Sequence, residues 1–255
     1  MTIRSVLVTG SNRGIGLEII KTFLNRSPPP EKLFATCRDP DGPRSEELKN
    51  LASKHNNLVI LQLDATNPDS IKKAVKNVEE HLEGAGLNLL LNNAGIMSHV
   101  NLDNVDSEDM INVFKTNVVG PMQVSQAFYP LLKESADARS QEPLSCKKAA
   151  VVNISSVLGS IERTSVTYDP AKQVVSYRIS KAALNMLTKC QAEGYRTDGI
   201  LCTAVHPGWV KTDMGTEGAL LTTEQSANGI LKVLGSLTEK ENGILMAWDG
   251  KVIPW

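Results

Sequence analysis

From one end of this chain to the other, short and nearly unbroken apolar runs alternate with amphipathic stretches. The runs cover about 3–9, 32–37, 58–63, 87–91, 148–154, 200–206 and 243–247 and are rich in Val, Ile and Leu. Apolarity on both sides of the period-2 pattern is the mark of strands buried on both faces. The stretches between them read as helices. Residues 14–26 put Ile15, Ile19, Ile20 and Phe23 on one face. Asn67 is placed to cap a helix with Pro68 at its first position. A long pattern over 107–132 is broken near Gly120–Pro121, because proline removes a backbone bond. Helices over 176–193 and 223–237 complete the set. Strand–helix–strand repetition with right-handed crossovers predicts an α/β fold: a doubly wound, mainly parallel seven-stranded sheet with helices on both faces. Three stretches fit no regular element: a stiff turn at 28–30, a polar, mobile loop at 135–148, and 157–174 between a strand end and a helix. No repeat or linker divides the chain, so one domain over 1–255 is expected.

Composition narrows the functions. Lys plus Arg number 27 and Asp plus Glu 28, a net charge of −1, so no field draws nucleic acid or an anionic membrane. No apolar run reaches the roughly 18 residues of a spanning helix. The strand-like run at 3–9 leads straight into a functional loop and is not expected to be a signal peptide. Cys37, Cys146, Cys190 and Cys202 are scattered with no C-x-x-C pair, which suits free thiols in the cytosol better than disulfides or a metal site.

The first strand runs into Thr9-Gly10-Ser11-Asn12-Arg13-Gly14-Ile15-Gly16 and then a helix. Glycines let the backbone approach a pyrophosphate, and the helix start offers free N–H groups and a positive dipole end. This predicts a Rossmann-type dinucleotide site, although the spacing is G-x-x-x-G-x-G rather than G-x-G-x-x-G. Plain turn chemistry would use the same residues. Further along stand Asn92-Asn93-Ala94-Gly95, Asn117, Ser155-Ser156 and Tyr177-Arg178-Ile179-Ser180-Lys181. In this order and over essentially the whole length, the chain resembles the short-chain dehydrogenase/reductase family. Its Asn12–Gly16 loop, the 206–214 run and the ending with Trp248-Asp249-Gly250 and Pro254-Trp255 are most similar to sniffer-type carbonyl reductases and C-factor-like proteins.

The second strand has no acid at its tip to grip a ribose hydroxyl. It ends in Arg38, and Arg13 in the glycine loop would face the same pocket. Two guanidiniums suit a 2′-phosphate, which favours NADPH over NADH. Asp39 could compete for the ribose, and both arginines could equally be solvated surface groups. The resemblance implies that Asp64, with Ala65 beside it, meets the adenine, where a helix-capping role is the alternative. It further implies that Asn93, Ala94 and Gly95 pass the adenosine ribose, and that Pro207, Gly208, Val210 and Thr212 hold the nicotinamide end.

Proton donation to a carbonyl needs an acid that works near neutral pH. A tyrosine titrates at about 10. An ammonium about 4 Å away is worth about 4 kcal/mol at an effective dielectric of about 20. At about 1.4 kcal/mol per pH unit, that brings the phenol towards about 7. Two Tyr–Lys pairs have the one-turn spacing: Tyr168 with Lys172, and Tyr177 with Lys181. Pro170 disfavours the helical region at Asp169, so the first pair need not share a face. The second opens an unbroken helix-favouring run and is the expected catalytic pair. The resemblance adds Ser156, rather than Ser155, as the residue that binds the carbonyl. It adds Asn117, which kinks its helix and passes a water to the lysine, and it makes Tyr177 and Lys181 cofactor contacts as well.

His206 reads as structural, and 215–223 as a mobile lid. The expectation is an NADPH-dependent reductase of a small ketone, aldehyde or quinone, acting as a homodimer or homotetramer. Two alternatives stand beside it: a dinucleotide-binding signalling protein of the C-factor type, and a reductase of acyl-chain or steroid substrates.

Overall fold

The computed structural model describes residues 3–169 and 173–255. Strands β1 (Ser5–Thr9), β2 (Lys32–Cys37), β3 (Leu58–Gln62), β4 (Leu89–Asn92), β5 (Ala150–Ile154), β6 (Leu201–His206), β7 (Leu245–Ala247) and β8 (Val252–Ile253) form one sheet, ordered β3-β2-β1-β4-β5-β6-β7-β8. β1 to β7 pair in parallel, and β8 alone runs antiparallel. The seven expected strands are present. The eighth is two residues long, beyond the reach of any periodicity: the chain turns at Asp249-Gly250 and comes back along β7, with Ala247 N–H donating to Lys251 O at 2.7 Å.

Alternate residues of each strand serve opposite layers, as the pleat requires. Val6, Val8, Leu89 and Leu91 pack beneath α1 (Gly14–Leu24) and α8 (Thr223–Ser236). Leu7, Leu90, Val151 and Phe34 face the other way, against α3 (Pro68–Leu82) and α5 (Gly120–Asp137). Asn67 caps α3 as expected, accepting from the N–H groups of Asp69 and Ser70. A seven-residue helix, α2 (Glu46–Ala52), has no strong pattern in the sequence.

The long helical pattern is three pieces joined end to end: α4 (Ser107–Phe114), a π-helical turn over Lys115–Val119, and α5, which continues past residue 132 to Asp137. The irregularity therefore lies on Asn117, before the glycine and proline. Pro121 lacks the N–H that in α-helical register would reach the Asn117 carbonyl. Part of 135–148 is helix, and the rest is tied down by Lys148, whose ammonium donates to the carbonyls of Ser140 and Glu142. Residues 157–174 contain a 3-10 turn (Val157–Gly159) and a short helix α6 (Thr164–Thr167), followed by α7 (Val175–Gly194).

The strand order reverses between β1 and β4. In a doubly wound sheet, the crevice at the carboxyl ends of such strands is where ligands bind. The glycine loop, the 93–95 turn, Ser155–Ser156 and the segment from Pro207 all emerge at that end.

Candidate active site

The glycine loop is built by its neighbours. Gly10 has φ +66°, and a Cβ there would stand 3.0 Å from the Ala94 Cα, so the β1 and β4 loops touch backbone to backbone. Asn93 secures that contact, its side chain donating to Thr9 O at 2.9 Å and Gly10 O at 3.1 Å, while the Thr9 hydroxyl accepts from the N–H groups of Asn93 and Ala94. Ser11 ties the loop to the end of β2: its N–H donates to Thr36 O at 2.9 Å and its hydroxyl to Val8 O. Asn12, Gly14 and Ile15 are half-buried and Gly16 is buried. The first turn of α1 holds no acidic residue and Arg13 makes no side-chain cap, so its N–H groups are left for an anion.

The two arginines differ from the sequence picture. Arg13 donates to Asp213 at 2.7 Å, an exposed ion pair that links the glycine loop to the segment after β6. Arg38 lies exposed at the tip of β2 with no ion pair among the described residues. Asp39 is also exposed, and its carbonyl accepts from Ser45. One Asp64 carboxylate oxygen accepts from the N–H and hydroxyl of Thr66, both at 2.8 Å, which is a turn-capping geometry. Ala65 is buried against Gly120.

The catalytic candidates converge at the ends of β4 and β5. α7 begins two residues before Tyr177, placing Tyr177 and Lys181 one turn apart on the face buried against the sheet; they are 8% and 5% exposed. The Lys181 ammonium lies 5.5 Å from the Tyr177 ring centre and donates to the Ile154 carbonyl at 2.8 Å. The Ser156 hydroxyl accepts from the Leu158 N–H at 3.1 Å and stands close enough to Tyr177 to pull its phenol down slightly. Ser155 turns the other way, donating to Asn185 at 2.6 Å. Asn117 is fully buried, clasps the backbone of Ile96 through both ends of its amide, and donates to Ser180 at 3.0 Å. A Cβ on Gly95 would lie 3.2 Å from Asn117 Oδ1 and 3.8 Å from the Lys181 ammonium, which puts all three side by side.

Burial decides the electrostatics of this cluster. It pushes the Tyr177 phenol up to about 12, against a smaller opposite pull from the Ser156 hydroxyl. It pushes the Lys181 ammonium down to about 8. The expected lowering of Tyr177 towards neutrality is thus not found, because the lysine is itself desolvated and spends a donor on Ile154. Near pH 7 the phenol keeps its proton and the amine stays charged.

Beyond β6, Pro207 O accepts from Ser226, and Gly208 packs against Leu221 and Trp248. Val210 is buried and bridges to Leu221, and Thr212 accepts from the Gly215 N–H and stands beside Gly14. The segment is pinned at both ends by Lys211 N–H to Leu221 O and Leu221 N–H to Trp209 O. His206 is held neutral, burial pushing it down to about 4, and its Nδ1 is buried without a partner among the described residues. Of the rival pair, Tyr168 is 36% exposed and ends α6, while Pro170 and Lys172 lie outside the described residues.

The family model for short chain dehydrogenases matches residues 4–219. The chain belongs to that family. An NADPH-bound carbonyl reductase from chicken fatty liver is 54% identical, covers all of both chains and superposes with a TM-score of 0.94. The carbonyl reductase Sniffer of D. melanogaster is 38% identical with a TM-score of 0.94, over 99% of this chain and 100% of its own. The C-signal protein of Myxococcus xanthus is 32% identical over 170 residues, 66% of this chain and 93% of its own. The resemblance read from the sequence is borne out, and this short-chain dehydrogenase is an oxidoreductase.

Several residues around the site escaped the sequence reading. Asp109 accepts from Ser98 and Ser176, tying α4 and the 96–100 loop to the start of α7. Asn185 holds Ser155 and the Gly159 carbonyl. Neither belongs to a motif, and their partners are remote in sequence. Asp213 did carry a signal, as an acid directly after Thr212.

Proposed function

We propose that this short-chain dehydrogenase is an NADPH-dependent carbonyl reductase of small ketones, aldehydes or quinones, formed by one domain over residues 1–255. The observation that carries the proposal is the buried cluster of Tyr177, Lys181, Ser156 and Asn117 at the strand ends beside an uncapped glycine-loop helix. The NADPH held by the 54% identical chicken reductase supports the same cofactor.

The residues present fit a dinucleotide phosphate. Among the described residues, the α1 N–H groups meet no competing side-chain cap and Arg38 meets no competing carboxylate. Gly10, Ser11, Asn12, Gly14, Ile15 and Gly16 would hold the diphosphate, and Arg38 with Arg13 the 2′-phosphate. Asp64 and Ala65 would meet the adenine, Asn93 to Gly95 the adenosine ribose, and Pro207, Gly208, Val210 and Thr212 the nicotinamide end near Tyr177 and Lys181. When bound, NADPH supplies the hydride. Ser156 fixes the carbonyl oxygen, Tyr177 gives that oxygen its proton, and the Lys181 ammonium stabilises the phenolate left behind. The Tyr177 proton is restored through Lys181 and Asn117.

Ile111, Phe114, Met122, Ile179 and Met186 leave apolar surface exposed on α4, α5 and α7, which suits association of two or four copies through these helices. The four cysteines are free, in keeping with the cytosol, and no described helix is long and apolar enough to cross a membrane. The test is loss of NADPH absorbance with a panel of quinones, aldehydes and steroids. Turnover of the first two classes is expected. Tight NADPH binding with no turnover of any would overturn the enzyme reading in favour of a signalling role, and turnover confined to steroids would reassign the substrate.

A further inference from the structure

The residue after the proton donor is a buried arginine that the reduction chemistry does not use. Arg178 is 9% exposed although it carries a full charge. Its guanidinium is spent on two segments upstream of its own helix. Nε donates to the Gln173 carbonyl at 3.0 Å, Nη1 to the Thr167 hydroxyl at 3.1 Å, and Nη2 to the Thr167 carbonyl. The same group lies 5.4 Å from the centre of the Tyr168 ring. Burying a charge is costly unless its donors are satisfied, and here, among the described residues, the acceptors are the Gln173 carbonyl and the Thr167 hydroxyl and carbonyl rather than a carboxylate.

A second observation lies in the backbone. Val174 has φ +45°, a left-handed conformation that a β-branched residue adopts only when its surroundings impose it. The bonds that impose it surround it: Arg178 to Gln173 O on one side, Val175 N–H to Val100 O at 3.1 Å on the other, and Leu102 N–H to the Gln173 side chain at 3.0 Å. The start of α7 is fixed independently, by Ser176 donating to Asp109. Arg178 therefore bears on the segment before the helix and not on the place of Tyr177.

That segment follows Ser156 directly. It exposes the large apolar side chains of Ile161, Val166 and Tyr168, and Leu102, whose N–H meets the Gln173 side chain, is exposed on the adjoining loop; the Tyr168 ring lies against Arg178, the residue next to Tyr177. We propose that Arg178 is a positioning residue: it clamps Thr167–Tyr168 and Gln173 into a fixed apolar wall beside Tyr177, and so sets the affinity for bulky apolar carbonyl substrates. This rests on the carbonyl-reductase reading. A guanidinium fork is needed, since a lysine presents a point charge and cannot serve both segments at once.

The test compares the wild type with Arg178→Met and Arg178→Lys, using a bicyclic quinone and a short aliphatic aldehyde as substrates. Amide hydrogen exchange of residues 164–168 is followed in parallel. In Arg178→Met, KM for the quinone should rise about tenfold, the loss of one charge-assisted contact's worth of order. The kcat for both substrates, KM for the aldehyde and NADPH affinity should stay within about twofold, and amides 164–168 should exchange faster. Arg178→Lys should fall between, and it serves as the test if the methionine variant does not fold. Unchanged exchange at 164–168 overturns the clamp, and unchanged quinone KM overturns its role in specificity. A parallel fall of kcat for both substrates would show a general disturbance of the site and also count against the proposal. If the wild type turns over neither substrate, the functional reading fails, and the exchange measurement still decides the clamp.

Discussion

Replacing Lys181 by methionine should abolish turnover while changing stability in a pH-dependent way that the structure sets. Burial lowers the Lys181 ammonium from 10.5 to about 8. At about 1.4 kcal/mol per pH unit, the folded protein bears about 3 kcal/mol of desolvation whenever this group is charged. Below pH about 8 both folded and unfolded chains carry the proton, and the folded state bears the whole cost. Between about 8 and 10.5 the unfolded chain binds more protons than the folded one, so stability rises with pH. Above 10.5 both are neutral and the cost is gone. Methionine has no such limb. It also removes the donor to Ile154 O, which costs about 1–3 kcal/mol. Near pH 7 the variant should be about as stable as the wild type or about 1 kcal/mol better. From about pH 7.5 to about pH 10 the difference should move by about 2.5 kcal/mol in favour of the wild type. Tyr177 is common to both proteins, so its own titration largely cancels. Urea unfolding of the cofactor-free proteins across that range measures the shift directly. A difference that stays constant with pH would refute the claim that Lys181 is desolvated, and with it the account of its charge state in catalysis.

Tyr177→Phe should lower kcat/KM by about 10²–10⁴ in the NADPH absorbance assay with NADPH affinity retained, whereas Tyr168→Phe should leave kcat within about twofold; full activity in the Tyr177 variant would reassign the acid. Arg38→Asp should move the preference from NADPH towards NADH in paired kcat/KM measurements, and an unchanged ratio would remove Arg38 from the phosphate site. Asp213→Asn should tighten NADPH binding by up to about fivefold in a fluorescence titration, because the exposed pair worth about 0.2–1 kcal/mol no longer competes for Arg13; weaker binding would contradict this. His206 is pushed down to about 4, so the unfolded chain binds the extra proton between 6.5 and about 4 and stability falls as pH drops through that window. His206→Gln should flatten that acid limb in urea titrations, and an identical slope would show that His206 does not cause it.

What the sequence disclosed, and what it withheld, divides along a physical line. The strands were legible because burial on both faces demands continuous apolarity, and Leu89–Leu90–Leu91 serves two layers of core at once. The glycine loop and the Tyr177–Lys181 turn were legible because their geometry is local: each spans one turn of chain, and the propensity of the following helix favours the second of two equally spaced pairs. Features made by distant partners were not legible. Val252–Ile253 is a strand only because β7 offers an edge, and Arg13 meets a carboxylate 200 residues away. The acidity of Tyr177 belongs to the same class. Spacing alone placed a charge beside the phenol and lowered it, whereas the packed site desolvates both groups and raises it. The consequence for mechanism is specific. The Tyr177–Lys181 pair by itself does not make a strong acid. In the proposed mechanism, therefore, the phenol would become a useful donor only when the developing alkoxide, more basic than a phenolate, draws its proton, and the lysine would stabilise the phenolate that results.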